Sequence, residues 1–241
     1  MNNVYKNINN SILNGEKLLA VLMDPDKFLI ETTSRFIKKV NTSIATHIFV
    51  GGSTVDDDVT EILVAEIKKH TNLPLVLFPG DVTQITDEAD AILFLSLISG
   101  RNPEYLIGKH VRSISKLRNT NLEVIPTGYI LIESGKETAV EQVTLTKPMS
   151  RDSIQDIVDT AKAGELLGMK LIYLEAGSGA TMPVDANIIT LVKKNLKIPL
   201  IVGGGIRCKQ QLEDAYNSGV DIVVIGTAFE DDESFFDALK K

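Results

Sequence analysis

The chain has 241 residues, a formal net charge of −7 and a single cysteine, Cys208. This length matches one (β/α)8 barrel, which typically takes roughly 250 residues. The acidic balance argues against a nucleic-acid partner, and the lone cysteine excludes an internal disulfide and a cysteine-rich zinc site.

Strand and helix patterns alternate through the first part of the chain. Val4, Ile8 and Ile12 recur at helical spacing and predict a short N-terminal helix. Continuous apolar runs indicate strands covered on both faces, as in a parallel sheet. The first four such runs are Leu18–Met23, Ile48–Val50, Leu75–Phe78 and Ala91–Leu95. Between them, helices are predicted over Ser34–Val40 and from the stripe Val59, Ile62, Leu63 and Ile67.

The third and fourth strands are so close in sequence that we expect an irregular, short crossover between them. After it, Pro103–Leu117 predicts a helix whose buried side is Leu106, Val111, Ile114 and Leu117. The fifth strand, residues 123–132, is expected to bend or bulge at Pro126-Thr127-Gly128. The polar end of residues 133–150 predicts a mobile loop.

The last third of the chain brings the strand count to eight. Its apolar runs are Leu171–Leu174, Leu200–Val202 and Ile222–Ile225. Helices are predicted from Ile154, Ile157, Val158 and Ala161, from Ile188, Ile189, Val192 and Leu196, and over Lys209–Asn217. Because no linker or low-complexity segment interrupts this rhythm, residues 1–241 are expected to form a single (β/α)8 TIM-barrel domain.

Glycine follows each of the last two strands, at Gly203–Gly205 and at Gly226, which precedes Thr227. Glycine lets backbone N–H groups approach an anion, and a helix that starts just beyond adds its positive end. Two such units late in a barrel match the usual position of its phosphate site. The alternative is that these glycines only make tight turns between strand and helix.

Other polar residues stand where predicted strands end, so they should share one face of the barrel. Asp24 follows the first strand and Ser53 the second. A carboxylate and a hydroxyl would suit Mg²⁺, which takes few protein oxygens and completes its shell with water and phosphates. The alternative is that both side chains cap the helices that follow.

Glu175 ends the sixth strand beside a glycine–serine turn, and Tyr173 lies on the same side of that strand. A carboxylate there can act as a general base near a bound phosphate ester, or it can form a structural ion pair. The three histidines have no metal-ligand spacing, and His70 and His110 are expected to face solvent.

With these residues placed, the chain resembles the geranylgeranylglyceryl phosphate synthase family. Matching motifs occur in the expected order across nearly the whole chain. They are L-M-D-P-D-K at 22–27, V-G-G-S-T at 50–54, P-T-G-Y-I-L at 126–131, Y-L-E-A-G-S-G at 173–179, V-G-G-G-I-R at 202–207 and I-G-T at 225–227. Ser53 stands where some members carry threonine, and both residues supply a hydroxyl.

The resemblance implies a prenyltransferase that joins sn-glycerol 1-phosphate to a prenyl diphosphate, most naturally geranylgeranyl diphosphate, with Mg²⁺. By that similarity Asp24 and Ser53 would hold the metal, and Glu175 would be the catalytic base. Glycerol phosphate would be bound by Tyr173, Leu174, Glu175, Ala176, Gly177, Ser178, Gly179, Gly203, Gly204, Gly205, Gly226 and Thr227. Candidates for the apolar groove that takes the prenyl tail are Leu97–Ile98, Tyr105 and Tyr129.

Two other functions stay open at this point: a sugar-phosphate isomerase or epimerase on the same fold, and a phosphometabolite-binding protein without turnover. The N-terminus carries no signal-peptide pattern and no apolar run reaches the ~18 residues of a membrane span, so a cytoplasmic location is expected. Contact with a membrane surface, assembly into a homo-oligomer and the natural prenyl length are left open by the sequence.

Overall fold

All eight predicted strands form, and hydrogen bonds join them in sequence order into a closed parallel barrel. The structure is a computed structural model that describes residues 3–53, 55 and 58–241, so Thr54 of the second sequence motif lies outside the described residues. The strands are β1 Leu18–Met23, β2 His47–Val50, β3 Leu75–Leu77, β4 Ala91–Leu97, β5 Glu123–Leu131, β6 Leu171–Glu175, β7 Leu200–Gly203 and β8 Ile222–Ile225. The (β/α)8 fold is thereby confirmed.

Helices surround the barrel. They are α1 Val4–Leu13, α2 Ile30–Thr42, α3 Val59–Lys68, α4 Lys109–Leu117, α5 Ala139–Thr144, α6 Ile154–Leu166, α7 Ala186–Asn195, α8 Lys209–Asn217 and α9 Thr227–Asp231. Short 3₁₀ turns occupy Val82–Gln84 and Glu233–Leu239, and one π-helical turn, Glu104–Gly108, precedes α4. In the described part of the chain, no helix has the length and apolar character needed to cross a bilayer.

The strands are apolar on both faces because each face is buried in a different layer. In β1, for example, Leu18 and Ala20 belong to the cluster inside the barrel, whereas Leu19, Val21 and Met23 pack in the shell beneath the helices. Burying such side chains stabilises the fold by about 1.5–3 kcal/mol each. This double burial explains the continuous apolar runs in the sequence.

The crossover from β3 to β4 is short, as predicted, and contains a single 3₁₀ turn instead of a full helix. Gln84 fastens this turn to the loop after β2, since its buried amide donates to Gly52 O at 2.9 Å. The outer side of β4 therefore lacks the helix that would normally precede it. A groove opens between β4 and α4 at this place, as described below.

The predicted buried side of the α4 region is wrong in part, although Leu117 packs against the core as predicted. Val111 and Ile114 are 65% and 45% exposed, whereas His110 and Ser113 face the interior. The π-helical turn inserts an extra residue into the helical repeat, which rotates the face that an uninterrupted helix would present. The expectation that His110 faces solvent is wrong for the same reason.

Two smaller expectations also fail. The fifth strand has no bulge at Pro126, because it pairs in continuous register with β4 on either side of this residue. Ile62 is 55% exposed instead of buried on α3. The segment predicted as a loop, residues 144–150, is irregular after α5 ends at Thr144, apart from a single bridge between Met149 and Ile132.

Candidate active site

The carboxyl ends of the strands surround a cleft of about 390 Å³. Nearly all the residues singled out in the sequence line it: Asp24, Ser53, Tyr173, Glu175, Gly177, Ser178, Gly179, Gly204, Gly205, Gly226 and Thr227. Leu174 and Ala176 do not, because both side chains point outward into the buried shell. Gly203 lies at the cleft floor against Tyr173. The fold thus brings together residues from five strand ends.

Glu175 is the buried acid of this cleft. Its Oε1 accepts a hydrogen bond of 2.6 Å from the Gly177 N–H, which holds the carboxylate at the start of the glycine turn. Burial raises the pKa of Glu175, while the Gly177 N–H and the nearby phenols of Tyr173 and Tyr129 act in the opposite direction. A carboxylate with a raised pKa is a stronger base, so Glu175 is suited to accept a proton.

Tyr173 points a buried hydroxyl into the same place. Among the described residues this oxygen has no hydrogen-bond partner of ordinary geometry. The ring stacks on Phe78, with centroids 5.3 Å apart, so its direction is fixed. Gly203 is required beside it, because a Cβ there would lie 2.2 Å from the hydroxyl oxygen. A buried hydroxyl without a partner is costly unless a ligand supplies one.

The glycine turns after β6 and β7 form an anion cradle. Among the described residues, the N–H groups of Ser178, Gly179, Gly204 and Gly205 donate to no protein acceptor. Gly204 has a φ of +85°, and a Cβ on it would lie 2.6 Å from Glu175 Oε1. Only glycine therefore allows the two turns to approach so closely. Free amides that face a cleft can bind phosphate oxygens without a charged side chain.

The third turn, after β8, joins the cradle through its side chain. Ser178 Oγ and Thr227 Oγ1 are 3.3 Å apart, which links the loop of β6 to that of β8. Arg207 also borders the cleft, and its guanidinium pairs with Asp231 at 3.2 Å. The anion cradle thus combines backbone and hydroxyl donors from three neighbouring loops.

Asp24 and Ser53, which follow β1 and β2, line the same cleft. A Cβ on Gly52 would lie 2.6 Å from Asp24 Oδ1, so glycine is what lets the loop after β2 come so near this carboxylate. Within residues 3–53, 55 and 58–241, no three His, Cys, Asp or Glu side chains are grouped as metal ligands. A carboxylate and a hydroxyl in the same cleft still fit Mg²⁺, which retains water and phosphate oxygens in its shell.

Lys27 and Glu230 extend the Asp24 side of the cleft. Lys27 Nζ lies 3.4 Å from Asp24 Oδ2 and 3.0 Å from Glu230 Oε2. Burial lowers the pKa of Lys27, but hydrogen bonding and attraction to Glu230 and Asp24 outweigh it and raise the pKa overall. Lys27 therefore keeps its positive charge in the cleft.

An apolar groove of about 120 Å³ opens beside the cleft. Ser53, Phe78, Tyr129 and Val140 border both spaces, so the two are continuous. The groove passes over β4 towards the inner side of α4, and its lining includes Leu97, Tyr105 and Tyr129 as predicted. Ile98 does not line it. Its Cδ1 instead fills the space beside Gly128 and Gly164 on the outer side of the barrel.

Sequence reasoning missed several residues here. Glu230 and Lys136 had no motif of their own, and Lys136 Nζ lies 3.0 Å from the position of a Cβ on Gly179. His110 lines the deep part of the groove, where its Nε2 is 3.2 Å from Ser96 Oγ and its ring packs edge-on against Phe94. The signal available for Glu230 was its place just after the last glycine turn.

A buried carboxylate, free backbone amides and an adjoining apolar groove lie together at the carboxyl ends of parallel strands, an arrangement suited to a (β/α)8 enzyme that takes a phosphate and an apolar group. The chain belongs to the PcrB family, whose model matches residues 11–241.

Known relatives agree with this assignment. The geranylgeranylglyceryl phosphate synthase of Flavobacterium johnsoniae is 55% identical over 98% of this chain and 97% of its own length. The enzyme of the same name from Thermococcus gammatolerans is 42% identical over 95% of this chain and 90% of its own. The solved structure of (S)-3-O-geranylgeranylglyceryl phosphate synthase from Thermoplasma acidophilum in complex with sn-glycerol-1-phosphate superposes with a TM-score of 0.92 at 32% identity, over 99% of this chain and 96% of that one.

Proposed function

We propose that this protein transfers a prenyl group, geranylgeranyl in the first instance, from its diphosphate to the 3-hydroxyl of sn-glycerol 1-phosphate. The observation that carries the proposal is the position of Glu175, which lies between an anion cradle and the mouth of an apolar groove. The relatives named above, and the substrate bound in one of them, support the same reaction.

The phosphate of the acceptor binds to the free amides of the loops after β6 and β7 and to the hydroxyls of Ser178 and Thr227. Backbone donors do not have to change conformation to bind, so the glycerol is fixed at little cost in ordering. The Tyr173 hydroxyl, which has no partner among the described residues, is positioned to hydrogen-bond a glycerol hydroxyl.

The chemical step forms one bond and breaks another. The O3 atom of glycerol attacks the first carbon of the prenyl group, the bond from that carbon to the diphosphate oxygen breaks, and the O3 proton passes to Glu175. General-base assistance of this kind contributes roughly 10²–10⁴-fold. The raised pKa of Glu175 favours acceptance of this proton.

The leaving diphosphate is placed at the Asp24 side of the cleft. Asp24 and Ser53 would hold Mg²⁺ there, and a bound Mg²⁺ supplies charge neutralisation for the departing diphosphate. Lys27, held by Asp24 and Glu230, keeps a fixed positive charge beside the same position. The cytoplasmic location stays a prediction.

The prenyl tail enters the groove between β4 and α4. Its walls are predominantly apolar, and Tyr129 and Phe78 stand where it meets the cleft. Only a substrate with a long apolar tail uses this space, which is what separates the proposal from a sugar-phosphate isomerase.

The test is incubation of the protein with sn-glycerol 1-phosphate, Mg²⁺ and a series of prenyl diphosphates, with the ether phosphate detected by mass spectrometry. sn-Glycerol 3-phosphate serves as the control acceptor. Product from a prenyl diphosphate supports the proposal. Binding of glycerol phosphate without product from any donor contradicts it and favours a non-catalytic binding protein. Isomerase activity that persists in EDTA would favour the other alternative.

A further inference from the structure

The outer face of α4 and the end of α5 present apolar side chains to solvent, and we call this area the α4–α5 surface. Ile107, Val111 and Ile114 follow one another at helical spacing with 60%, 65% and 45% of their area exposed. Leu145, just after α5, is 88% exposed. The two segments adjoin, because the Tyr105 hydroxyl donates to Val143 O at 3.1 Å.

This exposure is unusual for its position in the fold. A helix on a barrel normally turns its apolar stripe to the strands, whereas here the inward positions are the polar His110 and Ser113. Leu145 is also held in the left-handed region, with φ of +52°, a conformation that costs a non-glycine residue energy. Contiguous exposed apolar residues mark an interaction site.

The same surface is basic although the chain as a whole is acidic. Across residues 101–118 and 143–147, six basic side chains accompany one acidic side chain, Glu104, which pairs with Arg112. Of the basic residues, Lys109 turns inward to Asp81 at 2.6 Å. The exposed basic side chains that surround the apolar stripe are Arg101, Arg112, Lys116, Arg118 and Lys147.

We propose that the α4–α5 surface docks on an anionic lipid bilayer. An exposed apolar stripe flanked by lysine and arginine is the pattern of a helix that lies in the interface of a membrane. Anionic headgroups complement the basic rim. A symmetric contact with a second copy of this chain would instead place this basic face against itself, which opposes association.

The α4–α5 surface lies next to the apolar groove, so docking would serve substrate capture; this step rests on the proposed function. The inner side of α4 lines the apolar groove through Lys109, His110 and Ser113, while its outer side forms the docking surface. One helix therefore lies between the bilayer and the space assigned to the prenyl tail. A diphosphate with a long apolar tail resides in membranes, so docking through α4 brings the groove to its substrate.

The direct test is flotation of the full chain with vesicles of equal parts phosphatidylcholine and phosphatidylglycerol, and with vesicles of phosphatidylcholine alone, without any substrate. We expect the protein to float with the anionic vesicles and to be released by salt. The combined variant Val111→Gln, Ile114→Gln and Leu145→Gln should abolish flotation. Reversing Lys116 and Arg118 to glutamate should weaken partitioning roughly fivefold or more for each residue.

Matched control variants distinguish binding through this surface from non-specific adsorption to vesicles. Leu166 on α6 is 78% exposed and Lys38 on α2 is also exposed, so Leu166→Gln and Lys38→Glu should leave flotation unchanged. Wild-type protein that stays with the neutral fraction, or a combined variant that still floats, overturns the proposal. So does light scattering that finds a wild-type dimer converted to a monomer by the combined variant, since the surface would then join two copies.

The outcome is independent of catalysis. Prenyl transfer in detergent by a protein that fails to float would refute the docking and leave the proposed function standing. Flotation without product from any prenyl diphosphate would refute the proposed function and leave the docking standing. The combined variant should retain wild-type turnover of a detergent-dispersed prenyl diphosphate, because none of its three residues lines the cleft or the groove.

Discussion

The two sides of this barrel are built in different ways. Around β6, β7 and β8, each strand ends in a glycine turn, and the cleft is lined by backbone amides and one buried carboxylate. Around β3 and β4, a helix is reduced to one 3₁₀ turn, a π-helical turn precedes α4, and the space is lined by apolar side chains. The first side offers backbone amides as hydrogen-bond donors, whereas the second side offers an apolar space where a helix is missing.

This difference predicts separable effects on the two substrates. Changes on the β6–β8 side should affect the glycerol phosphate or the proton, whereas changes beside β4 should affect the prenyl donor. Tyr129 lines both spaces, and Asp24 and Glu175 are assigned to the chemical step, so these three residues should affect turnover itself. Substitutions that move the kinetic constants of both substrates together would break this comparison.

The largest effect is expected for Asp24→Asn. The asparagine amide lacks the negative charge that would hold Mg²⁺. A bound Mg²⁺ stabilises the charge that develops on a departing phosphate by several kcal/mol, so turnover should fall below detection without it. Glycerol phosphate should still bind. Calorimetry with sn-glycerol 1-phosphate and an assay over a Mg²⁺ series measure both. Asp26→Asn, two residues along on the rim of the same cleft, is the control and should change kcat far less. Normal Mg²⁺ dependence in Asp24→Asn would refute the metal assignment.

Glu175→Gln should reduce kcat by roughly 10²–10⁴-fold with a modest change in KM, because a lost general base acts mainly in the transition state. Burial raises the pKa of Glu175, so wild-type kcat/KM should fall as the pH drops through that raised pKa. The variant should lose this acidic limb.

The control for the base is Glu230→Gln, because Glu230 lies in the same cleft and its pKa is also raised by burial. It should keep the acidic limb. If Glu175→Gln retains kcat within threefold of the wild type, the O3 proton must leave by way of diphosphate or water instead.

Much of the fold was predictable because its signals are local. Leu18–Met23, Lys209–Asn217 and Ile222–Ile225 match the observed elements residue for residue, since buried parallel strands and an amphipathic helix have unambiguous patterns. The residues of the cleft were predictable as well, because polar residues after buried strands meet at one face of a barrel. Their assigned roles stay predictions.

The groove side was harder because its determinants are not local. The inward face of α4 depends on a π-helical turn that carries no sequence mark, so the buried His110 was expected in solvent. Pro126 suggested a bend or a bulge, yet the pairing with β4 continues without a bulge, and the Pro126 carbonyl accepts a 2.8 Å hydrogen bond from Lys170 N–H. In both cases the environment of the residue is set by segments that are distant in sequence, and a local sequence pattern does not show them.

Gly204→Ala tests the cradle. The new Cβ would lie 2.6 Å from Glu175 Oε1 and 2.7 Å from Gly177 N, so the glycine turn and the carboxylate must separate. We expect KM for glycerol phosphate to rise by about tenfold or more, because displacing the turn removes at least one backbone hydrogen bond to the charged phosphate, which contributes about 1.5–3 kcal/mol. Gly15→Ala is the control, since Gly15 also has positive φ, +78°, but open space around it. It should lower stability without changing KM.

Ser113→Leu sharpens the groove side of the comparison. Ser113 is buried on the inner side of α4 and lines the groove, so a larger apolar side chain shortens the space for the tail. KM for geranylgeranyl diphosphate should rise by about tenfold, within the range for one or two methylenes in an apolar pocket. KM for glycerol phosphate should not change. Ser115→Leu, on the exposed side of the same helix, should affect neither.

The smallest effect is expected for Lys136→Met, which tests whether a side chain assists the backbone cradle. Lys136 Nζ lies 3.0 Å from the position of a Cβ on Gly179, so its charge is close to the amides assigned to phosphate. An exposed cation in water contributes little, and we expect KM for glycerol phosphate to rise only about threefold at low salt, with kcat unchanged. The difference should vanish as salt screens the charge. Lys170→Met, at the opposite end of the barrel, should have no effect at any salt concentration. A salt-independent loss of kcat would instead mean that Lys136 acts in the chemical step and does more than assist the backbone and hydroxyl donors of the cradle.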